Sequence, residues 1–298
     1  MDAYDGEKGD GGFDVKKRIA IVAHVFYEEI WPEIKSCIDN FVAVCGGDNV
    51  DVFLTYPEVR PQLAKVYPPP EKNDSARRIH VAAIPNRGYD IGAFFHVLER
   101  LDLREYDFIV KLHTKRDAPD GWLNFRHYPA GPAHRQMLLS FCSTEKAAAK
   151  SLAAMRRDPT IGMLAARPLI DPSGITAGPE VLWRAREVLA HHGLPNNGKA
   201  MVYGTMFMVR ARLLEVLKGK VDISEFPEIS TQNPHDVGMA GAWESAFGII
   251  VEAQGFRVAQ GGVPHFVSVI GGQVCAMLYY WLRRLSTSIR KMVCSRAR

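Results

Sequence analysis

YDFIVKLHTKR, Tyr106 to Arg116, is an apolar, β-branched run that ends abruptly in polar and cationic residues. Asp107 to Leu112 is short and rich in strand-forming residues, so it reads as a strand rather than a helix. His113, Thr114, Lys115 and Arg116 follow without a spacer. Six other runs have a similar strand character: RIAIVAH (18–24), DVFLT (51–55), RIHVAAI (78–84), IGMLAA (161–166), GTMFMVR (204–210) and FRVAQ (256–260). Amphipathic helical stretches alternate with them. That alternation predicts an α/β fold of three layers, α/β/α, with a mostly parallel central sheet covered by helices on both faces.

The clearest helical stretches lie on either side of the quoted strand. Trp31, Ile34, Ile38, Phe41 and Cys45 recur at three- and four-residue steps, with Pro32 tolerated in the first turn and Gly46-Gly47 ending the helix. EKAAAKSLAAMRR, residues 145–157, has high helix propensity and stops before Asp158-Pro159. Pro68-Pro69-Pro70 marks a stiff loop ahead of the third strand.

At 298 residues, 47% apolar and 23% charged, the chain has the composition of an ordinary globular protein. Residues 1–17 carry five acids and four glycines with almost nothing to bury, and read as a flexible acidic leader. The main domain is expected over 18–265, with an apolar and then basic tail over 266–298. Phe266 to Leu282 holds no charge, and six cations follow from Arg283 onward, more than the whole net charge of +4. Such a tail suits an interfacial helix at an anionic membrane surface, or a final core helix with a solvated end. Aromatic and basic residues do not interleave elsewhere, so no nucleic-acid partner is expected. The five cysteines (37, 45, 142, 275 and 294) form no CxxC pair and are expected to be reduced in a cytoplasmic protein.

In an open parallel sheet ligands gather at the carboxyl ends of the strands. Three segments there carry chemistry. IPNRGYDIGAFF, Ile84 to Phe95, offers Asn86, Arg87 and Asp90, with Gly88 and Gly92 permitting close approach; a turn with Asp90 capping the next helix would use the same residues. His113 to Arg116 places donors and cations where a diphosphate would need neutralising, or forms a solvated basic loop. Neither a Walker loop nor a GxGxxG turn is present. In WESAFGIIVEAQGFRVA, Trp243 to Ala259, Glu244 lies near a helix start, where an acid also gains from the helix dipole.

In order along the chain, AHVFYEEIWPEI (23–34), IPNRGYDIGAF (84–94), YDFIVKLHTKR, GTMFMVR and the stretch from Trp243 resemble the rhamnan synthesis protein F family over most of residues 18–260. That family comprises bacterial proteins of polysaccharide assembly similar to glycosyltransferases of the A-type fold. The resemblance implies transfer of a sugar, rhamnose, from a nucleotide-diphosphate donor to a glycan or lipid-linked acceptor; the cysteines and the tail add the expectation of a protein that is cytoplasmic or peripheral on the inner face of the bacterial plasma membrane. The implied donor-binding residues are His24, Asn86, Arg87, Asp90, His113, Lys115 and Arg116. Gly204, Thr205, Met206 and Phe207 match the acceptor side.

In the wider A-type fold the fourth strand often ends in Asp-x-Asp, which holds a divalent metal; here the place reads His113-Thr114-Lys115. The expectation is therefore inverting transfer without a metal cofactor, magnesium or manganese being left open, with Lys115, helped by His113, at the leaving group. Glu244, eleven residues before Gly255, matches the family's catalytic base, and Asp236 is the next candidate. The competing expectation is a catalytically inactive subunit that binds a sugar nucleotide or glycan. A hydrolase is weaker, since no acids pair at strand ends, and a dinucleotide oxidoreductase weaker still.

Overall fold

A computed structural model describes residues 18–65, 78–116, 132–166, 169–174, 179–229 and 238–261. The leader, the Pro68–Pro70 loop, Asp236 and the tail over 266–298 lie outside the described residues.

The seven predicted strands are the seven strands of one sheet: β1 (Ile19–His24), β2 (Val50–Pro57), β3 (Arg78–Ile84), β4 (Phe108–His113), β5 (Ile161–Ala166), β8 (Phe207–Arg210) and β9 (Arg257–Gly261). Two short strands, β6 (Ile170–Asp171) and β7 (Met201–Val202), pair antiparallel as a separate ribbon. In the main sheet the order is β3-β2-β1-β4-β8-β5-β9. Every pair is parallel except those of β8, which runs antiparallel to both β4 and β5. The protein is thus α/β with a mostly parallel sheet.

Every residue of β1, β4 and β5 is buried, which requires cover on both faces of the sheet centre. That cover comes from α1 (Trp31–Cys45), which packs with α4 (Glu145–Arg157), and from α2 (Tyr89–Arg100), which packs with α6 (Gly238–Ala253). A short α3 (Pro132–Leu138) precedes α4, and α5 (Pro179–His191) lies on α6. The apolar stripe of α1 is buried at Trp31, Ile34, Cys37, Ile38 and Phe41, with Pro32 in the first turn and Gly46 at its end. Thr144 caps α4 by accepting from the Ala147 amide at 3.1 Å. Under α2 and α6, Phe94, Phe95, Phe207, Trp243 and Phe247 meet edge-on or stacked; Phe95 lies 4.8 Å from Trp243 and Phe94 5.5 Å from Phe247.

The strand order fixes where a ligand would sit. From β1 the chain steps outward through β2 to β3, then returns to the other side of β1 as β4. The crevice outside the carboxyl ends of β1 and β4 is therefore the switch point of the sheet. One prediction is shortened: the strand expected over 204–210 begins at Phe207, because Gly204 and Thr205 have positive φ angles of 77° and 49° and form a turn.

Close approach of the turn that precedes α2 explains Gly92. A Cβ there would stand 2.2 Å from the Arg87 carbonyl oxygen. Gly92→Ala is expected to cost about 1–3 kcal/mol, read as a lower denaturant midpoint with an unchanged slope; an unshifted midpoint would show that the turn before α2 yields freely.

Candidate functional site

At the switch point lies a cleft of about 540 Å³. Its floor comes from β1 and β4. His24 and His113 are register partners on these strands, so their side chains stand side by side on one face. Both are buried and both line the cleft. Burial holds the His24 imidazole down to about 4 and the His113 imidazole to about 3, with the nearby Lys111 charge adding to the effect and Asp90 opposing it. Both are therefore neutral at pH 7. His24 Nδ1 lies 2.9 Å from the Thr55 hydroxyl at the end of β2.

Two residues before His113, and so on the same face, Lys111 is 1% exposed. Its ammonium donates to the Asp90 carboxylate, and to both the carbonyl and the hydroxyl oxygen of Thr205 at 3.1 Å. Thr205 in turn donates its hydroxyl to the same Asp90 oxygen at 2.6 Å. Burial lowers the Lys111 pKa, and the Asp90 charge works against that shift. For Asp90 burial acts upward, but His113, Lys111 and the hydrogen bonds from Lys111 and Thr205 outweigh it, keeping the carboxyl well below the usual carboxylate range. Since His113 is neutral, Lys111 is the cation that pairs with Asp90. His113 Nδ1 approaches the carboxylate at 3.4 Å.

Asp90 is therefore not the cap of α2. Gly88 occupies that position without a side-chain bond, and Asp90 sits in the first turn, at the positive end of the helix dipole. Tyr89 beside it holds φ 55°, and Thr205 holds φ 49°. These are the two non-glycine residues with positive φ among the described residues, and both line the cleft. Conformations of that kind cost about 1–3 kcal/mol each and persist where surrounding contacts fix them; here the Thr205 contacts to Lys111 and Asp90 do so.

The wall opposite the sheet belongs to α6. Glu244, half-buried, lines the cleft and accepts the Gly204 amide on Oε1 at 2.7 Å. Gly204 and Thr205 thus connect Glu244 to the Lys111–Asp90 pair. On the other side, Thr114 accepts from the amides of Phe26 (2.8 Å) and Tyr27 (3.0 Å), which pins the loop after β1 to the end of β4.

The remaining expected residues divide. Lys115 is half-buried, lines the cleft and, among the described residues, has no hydrogen-bond or ion-pair partner. Arg116 lines the rim but gives its guanidinium to Glu29, at 2.7 and 2.5 Å, and lies over the Tyr27 ring. Asn86 lines the cleft and tethers Ile229, accepting its amide at 3.0 Å. Arg87 does not line the cleft; its guanidinium donates to the carbonyls of Phe226 (2.9 Å) and Ser224 (3.5 Å) and so holds a neighbouring loop. Met206 and Phe207, expected on the acceptor side, are core residues at 1% and 0% exposure, because β8 is a central strand. His113, expected to help Lys115, lines the cleft beside it, and with its pKa held down by burial it offers a hydrogen-bonding group there. Among the described residues no three His, Cys, Asp or Glu side chains converge as a metal would need.

Lys111 was not anticipated as part of the site. Its signal is a single lysine inside an otherwise apolar run, FIVKLH, in a strand that the pattern buries on both faces. Arg60, which lies in no motif, also lines the cleft, as do Phe26 and Tyr27 from the segment 23–34, which were not singled out as site residues.

The fold and cleft define an α/β protein of the open-sheet class, with its polar crevice at the switch point. Residues 6–255 match the sequence model of the family described as rhamnan synthesis protein F, and the chain belongs to that family. It is also similar to the "Uncharacterized protein WxcX" of Xanthomonas campestris pv. campestris (strain B100), 28% identical over 180 residues. That match covers 60% of this chain and 24% of the relative, so the chain spans about a quarter of the relative's length.

Two outcomes follow from the buried charges. Lys111→Met is expected to destabilise the protein by about 3–5 kcal/mol by stranding Asp90, whereas Lys111→Met with Asp90→Leu recovers most of the loss; equal losses in denaturant titrations would mean that the pair is not the cause. His24 and His113 have folded pKa values below the ordinary 6.5, so the unfolded chain binds more protons as pH falls from 6.5 towards 4. Stability is expected to fall through that window, and His24→Gln with His113→Gln to flatten the slope; an unaltered slope would place the titration elsewhere.

Proposed function

We propose that this chain is a glycosyltransferase of the A-type fold that moves a sugar, rhamnose by the family's name, from a nucleotide-diphosphate donor to a glycan or lipid-linked acceptor. The observation that carries this reading is one cleft, at the switch point, lined both by a lysine just past β4 that has no ion-pair partner among the described residues and by a carboxylate on α6. Membership of a family named for rhamnan synthesis supports the substrate class.

In this reading the donor diphosphate lies at the mouth near Lys115 and the sugar reaches inward over His24, His113 and Asp90. Glu244 takes the proton of the acceptor hydroxyl as its oxygen attacks the anomeric carbon from the face opposite the diphosphate. The carbon–oxygen bond to the diphosphate breaks, its electron pair leaves with the phosphate oxygen, and configuration inverts. Lys115 stabilises the charge that grows there, the work a metal performs in other transferases. The deep end supplies hydrogen-bonding groups rather than net charge, since Lys111 and Asp90 cancel and the imidazoles are neutral. That character suits sugar hydroxyls.

A second reading, a subunit that binds a sugar nucleotide without turnover, draws on the engagement of Glu244 by the Gly204 amide. Turnover separates the two. Glu244→Gln is expected to lower transfer about a hundred-fold or more while donor affinity stays within about two-fold, and EDTA is expected to leave wild-type transfer unchanged. Full activity of the variant would remove Glu244 from the mechanism in favour of Asp236. Loss with EDTA that magnesium or manganese restores would overturn metal independence, and donor binding without any wild-type transfer would favour the second reading.

A further inference from the structure

Arg60 follows β2, has no place in any sequence motif, and lines the same cleft as Lys115. Its guanidinium is half-buried and doubly held: it donates to the Phe26 carbonyl at 3.0 Å and stands over the Phe26 ring at 4.1 Å. Among the described residues it pairs with no carboxylate. The nearby Glu29 is engaged by Arg116. The Arg60 charge also acts on Glu29, but without a direct ion pair; a guanidinium fixed in orientation and partly desolvated at a cleft mouth presents its remaining N–H groups to an anion.

Charge counting narrows what that anion would be. Lys111 is paired with Asp90, Arg116 with Glu29, and Arg87 points its donors at carbonyls outside the cleft. Arg60 and Lys115 are left as the cations lining the cleft without a carboxylate partner among the described residues. They extend from the ends of β2 and β4, the strands on either side of β1. Those strands lie about 10 Å apart, two inter-strand spacings, a gap that two long side chains can close on one small dianion. In a sugar-linked diphosphate each phosphate is a diester with about one negative charge.

We propose that Arg60 and Lys115 together form a diphosphate clamp at the mouth of the cleft, with Arg60 giving the directional, two-pronged contact and Lys115 the point charge. This rests on the donor reading above and adds a binding residue to it. It also orients the donor: phosphates across the end of β1 at the mouth, sugar over the neutral imidazoles within.

The test is calorimetric titration of the full chain with uridine, guanosine and thymidine 5′-diphosphates and with the matching nucleosides. Arg60→Gln is expected to weaken the preferred diphosphate at least about ten-fold, with nucleoside binding changed less than about two-fold and the melting temperature retained. Arg60→Lys should fall between it and wild type. Arg104→Gln, an exposed change at the opposite end of the sheet, should do nothing. Wild-type affinity for diphosphate in Arg60→Gln would overturn the clamp and leave the donor reading standing. Equal losses for diphosphate and nucleoside would also overturn it, by assigning Arg60 to packing. If none of the diphosphates binds the wild-type protein, the donor reading fails and the clamp with it. Should Arg60→Gln not fold, Arg60→Lys decides: undiminished diphosphate affinity overturns the clamp, and a selective loss upholds it.

Discussion

The Lys111–Asp90 pair is the constraint around which the site is built. A lysine inside a fully buried strand is tolerable only with its charge compensated and its protons satisfied. The protein meets that demand with a carboxylate from the first turn of α2 and with the carbonyl and hydroxyl of Thr205. Meeting it fixes three otherwise independent pieces of chain relative to one another: the end of β4, the start of α2 and the turn before β8. The unusual backbone angles of Tyr89 and Thr205 fall at two of those pieces, as expected where surrounding contacts rather than local preference decide the conformation.

From this follows the division of labour across the cleft. With its cation and carboxylate cancelled and its imidazoles neutral, the floor is polar without being charged. The mouth carries Arg60 and Lys115, which have no direct ion pair among the described residues. A substrate with one anionic and one hydroxylated end would find its two halves matched by the two zones. The reversal of β8 contributes directly: because it runs against its neighbours, its amino end stands at their carboxyl ends. That brings the Gly204–Thr205 turn into the crevice, where it reaches both the buried pair and Glu244.

Much of this was legible in the chain. All seven strands of the main sheet can be read as short apolar runs, most of them β-branched, and the polar strand ends identify His113, Lys115 and Asp90 as neighbours in one crevice. What could not be read depended on pairing between distant segments. Nothing local shows that Arg87 spends its donors on carbonyls 137 and 139 residues away, or that Arg116 is claimed by Glu29. Met206 and Phe207 were expected on the acceptor side because the segment Gly204–Phe207 resembles the family's acceptor-side segment. The sheet is covered on both faces there, so both side chains lie in the core instead. Lys111 was hidden for the opposite reason: a single charge in an apolar run looks like an interruption until the strand's two covered faces leave it nowhere to go.

The turn at Gly204 shapes how this site can vary. The atoms it contributes are an amide hydrogen for Glu244 and, one residue on, a carbonyl for Lys111. Every amino acid other than proline carries both groups, so substitution can silence them only by altering the backbone path. At φ 77°, with Leu138 Cδ2 only 2.3 Å from where a Cβ would stand, glycine is selected for shape while the chemistry is supplied by the peptide itself. Divergence along this segment should therefore be filtered by conformation, leaving a backbone contact whose signature in sequence is the absence of a side chain.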